Sequence, residues 1–249
     1  MTVSTTPKRR LQTPRLRRGV DRFHSRFDWL ESWHTFSFSH HYDPAWTGFG
    51  PLLVINDDTI APQRGFGMHP HRDMEIITVM VEGELTHRDS MGNGEVLRAG
   101  EVQRMSAGTG IVHSEMNAGS EPCRLLQVWI EPSHGGSPPS YEQRPFPIGS
   151  GWTALLDPDG AAGAMAIQRP VRLWRARPTA GMELPVQLCP DRLGWIQMID
   201  GSVIAAPSPA DDGAPLHLHR GDGLGWADPT ALRLKATDGD ADLLLFELA

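Results

Sequence analysis

The chain has 249 residues, with 23 Lys and Arg against 30 Asp and Glu, 11 His, 2 Cys, 26 Gly and 21 Pro, and its hydrophobic fraction of 39% excludes fibrous, disulfide-built and disordered classes. The net charge of −7 is unevenly spread, because Lys8, Arg9, Arg10, Arg15, Arg17, Arg18 and Arg22 face only Asp21 in the first 22 residues, which leaves an acidic body that repels phosphate backbones. Nucleic acid is therefore an unexpected partner. Residues 1–22 read as a basic, solvated arm. No run reaches the ~18 apolar residues of a membrane span, no secretory signal is recognisable, and Cys123 and Cys189 form no metal or redox pair, so a reducing, cytoplasmic location is expected. From there the apolar runs at 52–55, 76–81, 124–130, 195–199 and 243–248 are short, rich in Val, Ile, Leu and Trp, and bounded by Gly, Pro, Asp and Asn. That is the signature of strands, and no sustained 3.6-residue periodicity opposes it. The chain reads as all-β. A first domain is expected over 23–132 and a second over 151–249, with the Ser, Pro and Gly-rich interval 133–150 as a linker.

An internal repeat supports that division. Val79-Met80-Val81-Glu82-Gly83-Glu84-Leu85 resembles Gln197-Met198-Ile199-Asp200-Gly201-Ser202-Val203, and Ala99-Gly100-Glu101-Val102 resembles Arg220-Gly221-Asp222-Gly223. An acid-Gly turn, a strand, a loop and a Gly-acid turn thus recur at similar spacing, which predicts two antiparallel β-barrels in tandem.

His69-Pro70-His71 places two imidazoles two residues apart, and a strand turns both to one face. His113-Ser114-Glu115 does the same with an imidazole and a carboxylate. If the two segments lie across a barrel from each other, three His and one Glu converge on one point. Such a set suits Fe(II), Mn, Ni, Cu, Co or Zn and leaves coordination positions open. Burying two neighbouring imidazoles without partners is costly, so a ligand role outweighs a core role for the pair. Glu75, four residues past His71, shares its face by parity and is a further candidate, as a ligand or as a group that orients one. Among the other histidines, His34 is expected to pack in an aromatic-rich segment. His24, His40, His41, His87 and His134 are expected at the surface.

The stretch Gly67-Met68-His69-Pro70-His71-Arg72-Asp73-Met74-Glu75, followed by Val81-Glu82-Gly83, resembles the first motif of the cupin superfamily as it occurs in pirins. Residues 106–117, Ser106-Ala107-Gly108-Thr109-Gly110-Ile111-Val112-His113-Ser114-Glu115-Met116-Asn117, resemble the second. The segment 28–38 with Tyr42-Asp43-Pro44 is also similar to pirins, and the likeness is greatest to bacterial pirin-like quercetin 2,3-dioxygenases. The resemblance implies a bicupin of jelly-roll type. It also implies one metal per chain, usually iron, held in the N-terminal barrel by His69, His71, His113 and Glu115. Repeat spacing maps these positions onto Gln187, Cys189, Leu234 and Ala236 in the second barrel, where no ligand set survives. His217 and His219 fall on the hairpin that carries no ligands.

The activity implied is cleavage of a flavonol such as quercetin by O2, with Glu115 as general base, or Glu75 if Glu115 stays bound. Met68, Met80, Met105, Ile111 and Met116 are candidates for apolar walls of a substrate cavity. The same motif also fits a non-enzymatic regulator in which bound iron tunes a surface for a protein partner. An enzyme should show a cavity that reaches the metal residues.

Overall fold

In the computed structural model, residues 14–207, 214–227, 231–237 and 239–249 are described. Lys8, Arg9 and Arg10 of the expected arm lie outside them. The first half of the chain runs through β1 (Arg15–Arg17), β2 (Phe23–Arg26), β3 (Leu30–His34), β4 (Leu52–Ile60), β5 (Arg64–His71), β6 (Glu75–Glu82), β7 (Glu84–Asp89), β8 (Gly94–Arg98), β9 (Glu101–Ser106), β10 (Ile111–Asn117), β11 (Cys123–Ile130) and β12 (Ser140–Pro145). The second runs through β13 (Thr153–Asp157), β14 (Met165–Ala166), β15 (Arg172–Ala176), β16 (Glu183–Val186), β17 (Leu193–Asp200), β18 (Ser202–Pro207), β19 (Leu216–His219), β20 (Gly223–Ala227), β21 (Leu232–Ala236) and β22 (Asp242–Leu248). Among the described residues the helical elements are two single 3-10 turns, Gly19–Asp21 and Ala161–Gly163. Among the described residues no helix is long and apolar enough to cross a membrane.

Each half closes a seven-stranded sheet over a four-stranded one. The large sheets run β12, β9, β6, β11, β4, β3, β2 and β1, β20, β17, β22, β15, β13, β14; the small ones run β5, β10, β7, β8 and β16, β21, β18, β19. The two halves thus repeat one strand order, and the fold is the bicupin. The repeat is anchored at its turns. Gly83 and Gly201 have φ of 72° and 71°, and a Cβ would stand 2.9 Å from the Cys123 side chain at Gly83 and 2.4 Å from the Asp240 carbonyl oxygen at Gly201. Glycine is required there by both backbone and space.

Alternation along the strands sorts side chains between two compartments. On β4, β6 and β11 one set, including Ile55, Ile77, Val79, Leu126 and Val128, faces the other half of the molecule and packs with Leu155, Leu173, Trp195, Leu244 and Phe246. Trp195 lies against Phe36 at 5.0 Å and Phe49 at 5.3 Å between ring centroids. The largest core cluster is therefore shared by both barrels. Arg124 spans the same boundary, donating to Asp57 at 2.8 and 3.0 Å, to Asp200 at 2.8 Å and to the Ile199 carbonyl at 2.9 Å. The opposite set faces the barrel interiors.

Both connecting segments differ from their expected form. Arg15–Arg17 is no solvated tail; it pairs with Gly223–Gly225 and completes the edge of the second barrel's large sheet. Its charges are used internally, since Arg15 and Arg17 lie over the Trp46 ring at 4.6 and 4.7 Å, Arg18 pairs with Asp222 at 2.8 Å, and the buried Arg22 lies 3.6 Å from Asp57. Within 133–150, residues Ser140–Pro145 pair with Glu101–Ser106 and fill the matching edge of the first barrel. Edge strands tolerate the polar and proline-rich composition that reads as linker.

Candidate metal centre

The centre is built on β10 and its two neighbours. His113 stands directly opposite His69 on β5 and opposite Asp89 on β7, while Glu115 stands opposite His87 on β7. The two candidate ligand motifs are therefore side-by-side partners in one sheet, not segments facing across the barrel as expected. A bulge lies between His113 and Glu115, which pairs with Phe66, so that His113 is aligned with β5 while Glu115 is reset relative to it. The rings of His69, His71 and His113 meet with centroids 4.4 to 4.9 Å apart.

Two overlapping donor groups result. His69, His71 and His113 each offer a nitrogen within 4.8 Å of the others, and His87, His113 and Glu115 form a second group by the same measure. His69 Nδ1 donates to the Gly67 carbonyl at 2.7 Å, which leaves its Nε2 lone pair free. Both nitrogens of the buried His113 lack a hydrogen-bond partner among the described residues. Burial, reinforced by neighbouring imidazoles, pushes His113 down to about 3 and His71 to about 4. Neutral imidazoles are the metal-binding form. Glu115 is shifted up by burial; its oxygens accept from Thr78 Oγ1 at 3.1 Å and Gln127 Nε2 at 2.8 Å. Buried imidazole nitrogens without partners beside a held carboxylate are the donor set of a divalent transition metal, which removes the cost of leaving them unpaired.

Thr78 and Gln127 belong to a polar row that crosses the inner face of the large sheet. Gln103, Thr78, Gln127, Asn56 and His34 are directly opposed, each to the next, on β9, β6, β11, β4 and β3. His34 packs as expected, with Nδ1 2.8 Å from Asn56 Oδ1 and Nε2 2.9 Å from Ser25 Oγ. In front of this row lies a cavity of about 310 Å³ that His69, His71, His113 and Glu115 all line. Its apolar walls are Phe27, Trp29, Leu30, Phe38, Phe66 and Trp129, and its polar wall includes Ser32, Asn56, Asp58 and Gln127. Asp58 is buried, accepts from Ser32 Oγ, and is pushed up to about 7, chiefly by burial.

Several sequence candidates stand elsewhere. Glu75 is separated from His71 by a turn with Asp73 at φ 46°, so strand parity does not carry across; it accepts from Ser106 Oγ at 2.7 Å and does not line the cavity. The expected methionine walls are also absent: Met80 packs with Leu85 and Leu97, Met105 with Ile76 and Ile111, Met68 is exposed, and Met116 is not part of the lining. His87 is fully buried rather than at the surface. Its signal was available in β7, where Leu85 and His87 share the inward parity.

In the second barrel the register pairs Leu184 with Leu234 and Val186 with Leu232, where the first barrel pairs His69 with His113 and His71 with Ile111. Repeat spacing points instead to Gln187 and Cys189, three residues too far along. Leu184, Val186, Leu234 and Ala236 all belong to an aliphatic core. His217 and His219 are exposed on β19.

The sequence profile of the Pirin family matches residues 16–130, and that of the quercetinase C-terminal cupin domain matches residues 154–248. A protein of Escherichia coli (strain K12) named quercetin 2,3-dioxygenase is 43% identical over 234 residues, covering 94% of this chain and 97% of that one. A pirin-like protein of Caulobacter vibrioides is 40% identical over 225 residues, covering 89% and 93%. The crystal structure of the bacterial pirin YhhW from Escherichia coli in complex with nickel(II) matches with a TM-score of 0.87 at 42% identity, over 95% of this chain and 99% of that one. With the same paired barrels and this degree of identity along nearly its whole length, the chain belongs to the pirin family of cupin proteins.

Proposed function

We propose that the protein is a metal-dependent dioxygenase that cleaves the heterocycle of a flavonol such as quercetin, with one divalent transition metal held by His69, His71, His113 and Glu115. The observation that carries this reading is an aromatic-walled cavity of about 310 Å³ lined by all four of these residues. Its size is at the lower end of small-molecule sites. Relatives named quercetin 2,3-dioxygenase and a nickel(II)-bound structural relative support the substrate class and the metal. Iron(II) is the metal we assign; Mn, Ni, Cu, Co and Zn suit the same donors.

When bound, the metal supplies Lewis acidity toward a substrate oxygen and the redox capacity that reaction with O2 demands. The protein's own groups do the rest. Trp129 and Phe66 on facing sheets offer flat apolar surfaces to an aromatic ring system. Ser32, Asn56 and Asp58, on the same sheet as Trp129, offer hydrogen bonds to its hydroxyls. Glu115 is the carboxylate beside the imidazoles placed to take the proton of the hydroxyl that enters the centre, with Thr78 and Gln127 holding its orientation. Glu75 lies outside the cavity and has no part in this step. The free Cys123 and Cys189 suit a reducing compartment such as the cytoplasm.

The test is anaerobic mixing of iron(II)-loaded protein with quercetin, followed by O2. Loss of flavonol absorbance with release of carbon monoxide is the expected result. No turnover with any of the candidate metals loaded would overturn the enzymatic reading.

A further inference from the structure

We propose that His87 is a metal ligand, so that the centre offers a second, inner cation position formed by His87, His113 and Glu115 alongside the outer one formed by His69, His71, His113 and Glu115. The inference rests on the reading that His113 and Glu115 ligate metal and adds a donor to it. Three observations carry it. His87 is fully buried, and its Nδ1 has no hydrogen-bond partner among the described residues. Its Nε2 lies 3.2 Å from Asp89 Oδ2, an arrangement that fixes the Nε2–H tautomer and leaves the Nδ1 lone pair free to bind a cation. Asp89 is itself held rigid, accepting from the backbone N–H groups of Met91 and Asn93 and from Asn93 Nδ2. Tyr141 stacks on the His87 ring at 4.5 Å, so packing sets its orientation.

The strand register explains why two positions exist. β10 is the middle strand: on one side His113 faces His69, and on the other Glu115 faces His87. Donor atoms of His87, His113 and Glu115 lie within 4.8 Å of one another. Two imidazoles and a carboxylate suit borderline divalent cations such as Zn(II), Co(II), Ni(II) and Cu(II). His69 and His71 line the cavity and His87 does not. A cation in the inner position is thus withdrawn from substrate, whereas one in the outer position meets it. Because His113 and Glu115 are shared, the two positions compete for a single ion.

The test is cobalt(II) titration of chelator-stripped protein, followed by visible absorption and elemental analysis, in the double variant His69→Ala/His71→Ala with and without His87→Gln. The double variant is expected to bind one cobalt(II) per chain at least about tenfold more weakly than the natural protein, and His87→Gln is expected to weaken it at least about tenfold further. No binding by a folded double variant, or equal binding with and without His87→Gln, overturns the proposal. A measurement that needs no variant is anomalous diffraction from crystals of the natural protein in excess zinc(II): partial density beside His87 is expected, and density confined to His69 and His71 overturns the inner position. Failure of the underlying centre looks different, since the natural protein would then take up no metal at all.

Discussion

Asp58 sits on the polar wall of the cavity with its carboxyl fully enclosed, and burial, with smaller contributions from the charges of Asp57 and Glu115, pushes it up to about 7 despite the hydrogen bond from Ser32. An acid raised in this way binds its proton more tightly folded than unfolded. Its stabilising effect is complete below the unfolded value near 4 and is lost as pH rises through about 7. The full swing is about 4 kcal/mol, from ~1.4 kcal/mol for each tenfold change in proton affinity. The substitution Asp58→Asn keeps the shape and leaves an amide oxygen that can still accept from Ser32, but it carries no charge to desolvate. In chelator-treated protein at pH 8.5 the variant should therefore exceed the natural chain by about 2–4 kcal/mol, a rise in Tm on the order of 8 °C for a chain of this size. By pH 5 the gap should shrink by more than half. Urea unfolding followed by tryptophan fluorescence at both pH values reads the difference, and the titrating imidazoles cancel between the two proteins. A variant no more stable than the natural chain at pH 8.5, or a gap that does not narrow at pH 5, would refute the reasoning.

Three further outcomes follow from the packing. Trp195→Ala removes the side chain at the centre of the core shared by both barrels and should cost about 3–5 kcal/mol in urea unfolding, with both halves losing stability together. Arg124→Ala removes the two close hydrogen bonds to the buried Asp57 carboxylate and leaves it Arg22 at 3.6 Å, so it should cost up to about 3 kcal/mol; a change near zero would show the pair to be dispensable. Deleting residues 1–18 uncovers the β20 edge and removes the Arg18–Asp222 pair, so size-exclusion chromatography should report increased association, and an unchanged monomer fraction would count against the edge-capping role of β1.

The sequence carried the architecture because alternation and turn glycines are local properties. The five apolar runs at 52–55, 76–81, 124–130, 195–199 and 243–248 fall inside β4, β6, β11, β17 and β22, and the repeat marks turns with nearly equal φ at Gly83 and Gly201. His69 and His71 were legible for the same reason, as two polar residues of one parity on a strand. What required the third dimension was pairing. β1 and β12 look like an arm and a linker because each borrows its hydrogen bonds from a strand distant in sequence. The aromatic cavity walls come from β5, β11 and the loops flanking β3, whereas the methionines flanking the candidate ligand motifs alternate outward or into separate clusters. Glu75 was misplaced because parity was carried through a turn, and His87 was missed because its charged neighbours Arg88 and Asp89 suggested a surface even though Leu85 shares its face. The register, not the spacing between glycines, identifies Leu184 and Leu234 as the second barrel's counterparts of His69 and His113.

The proposed function stands on one divalent metal per chain, bound in the N-terminal barrel through His113 and its neighbours. Elemental analysis of protein purified without chelator, beside His113→Ala prepared in the same way, checks this. Close to one metal per chain is expected in the natural protein and loss of that metal in the variant, because His113 belongs to both donor groups. Two metals per chain, or full retention after His113→Ala, would rule it out.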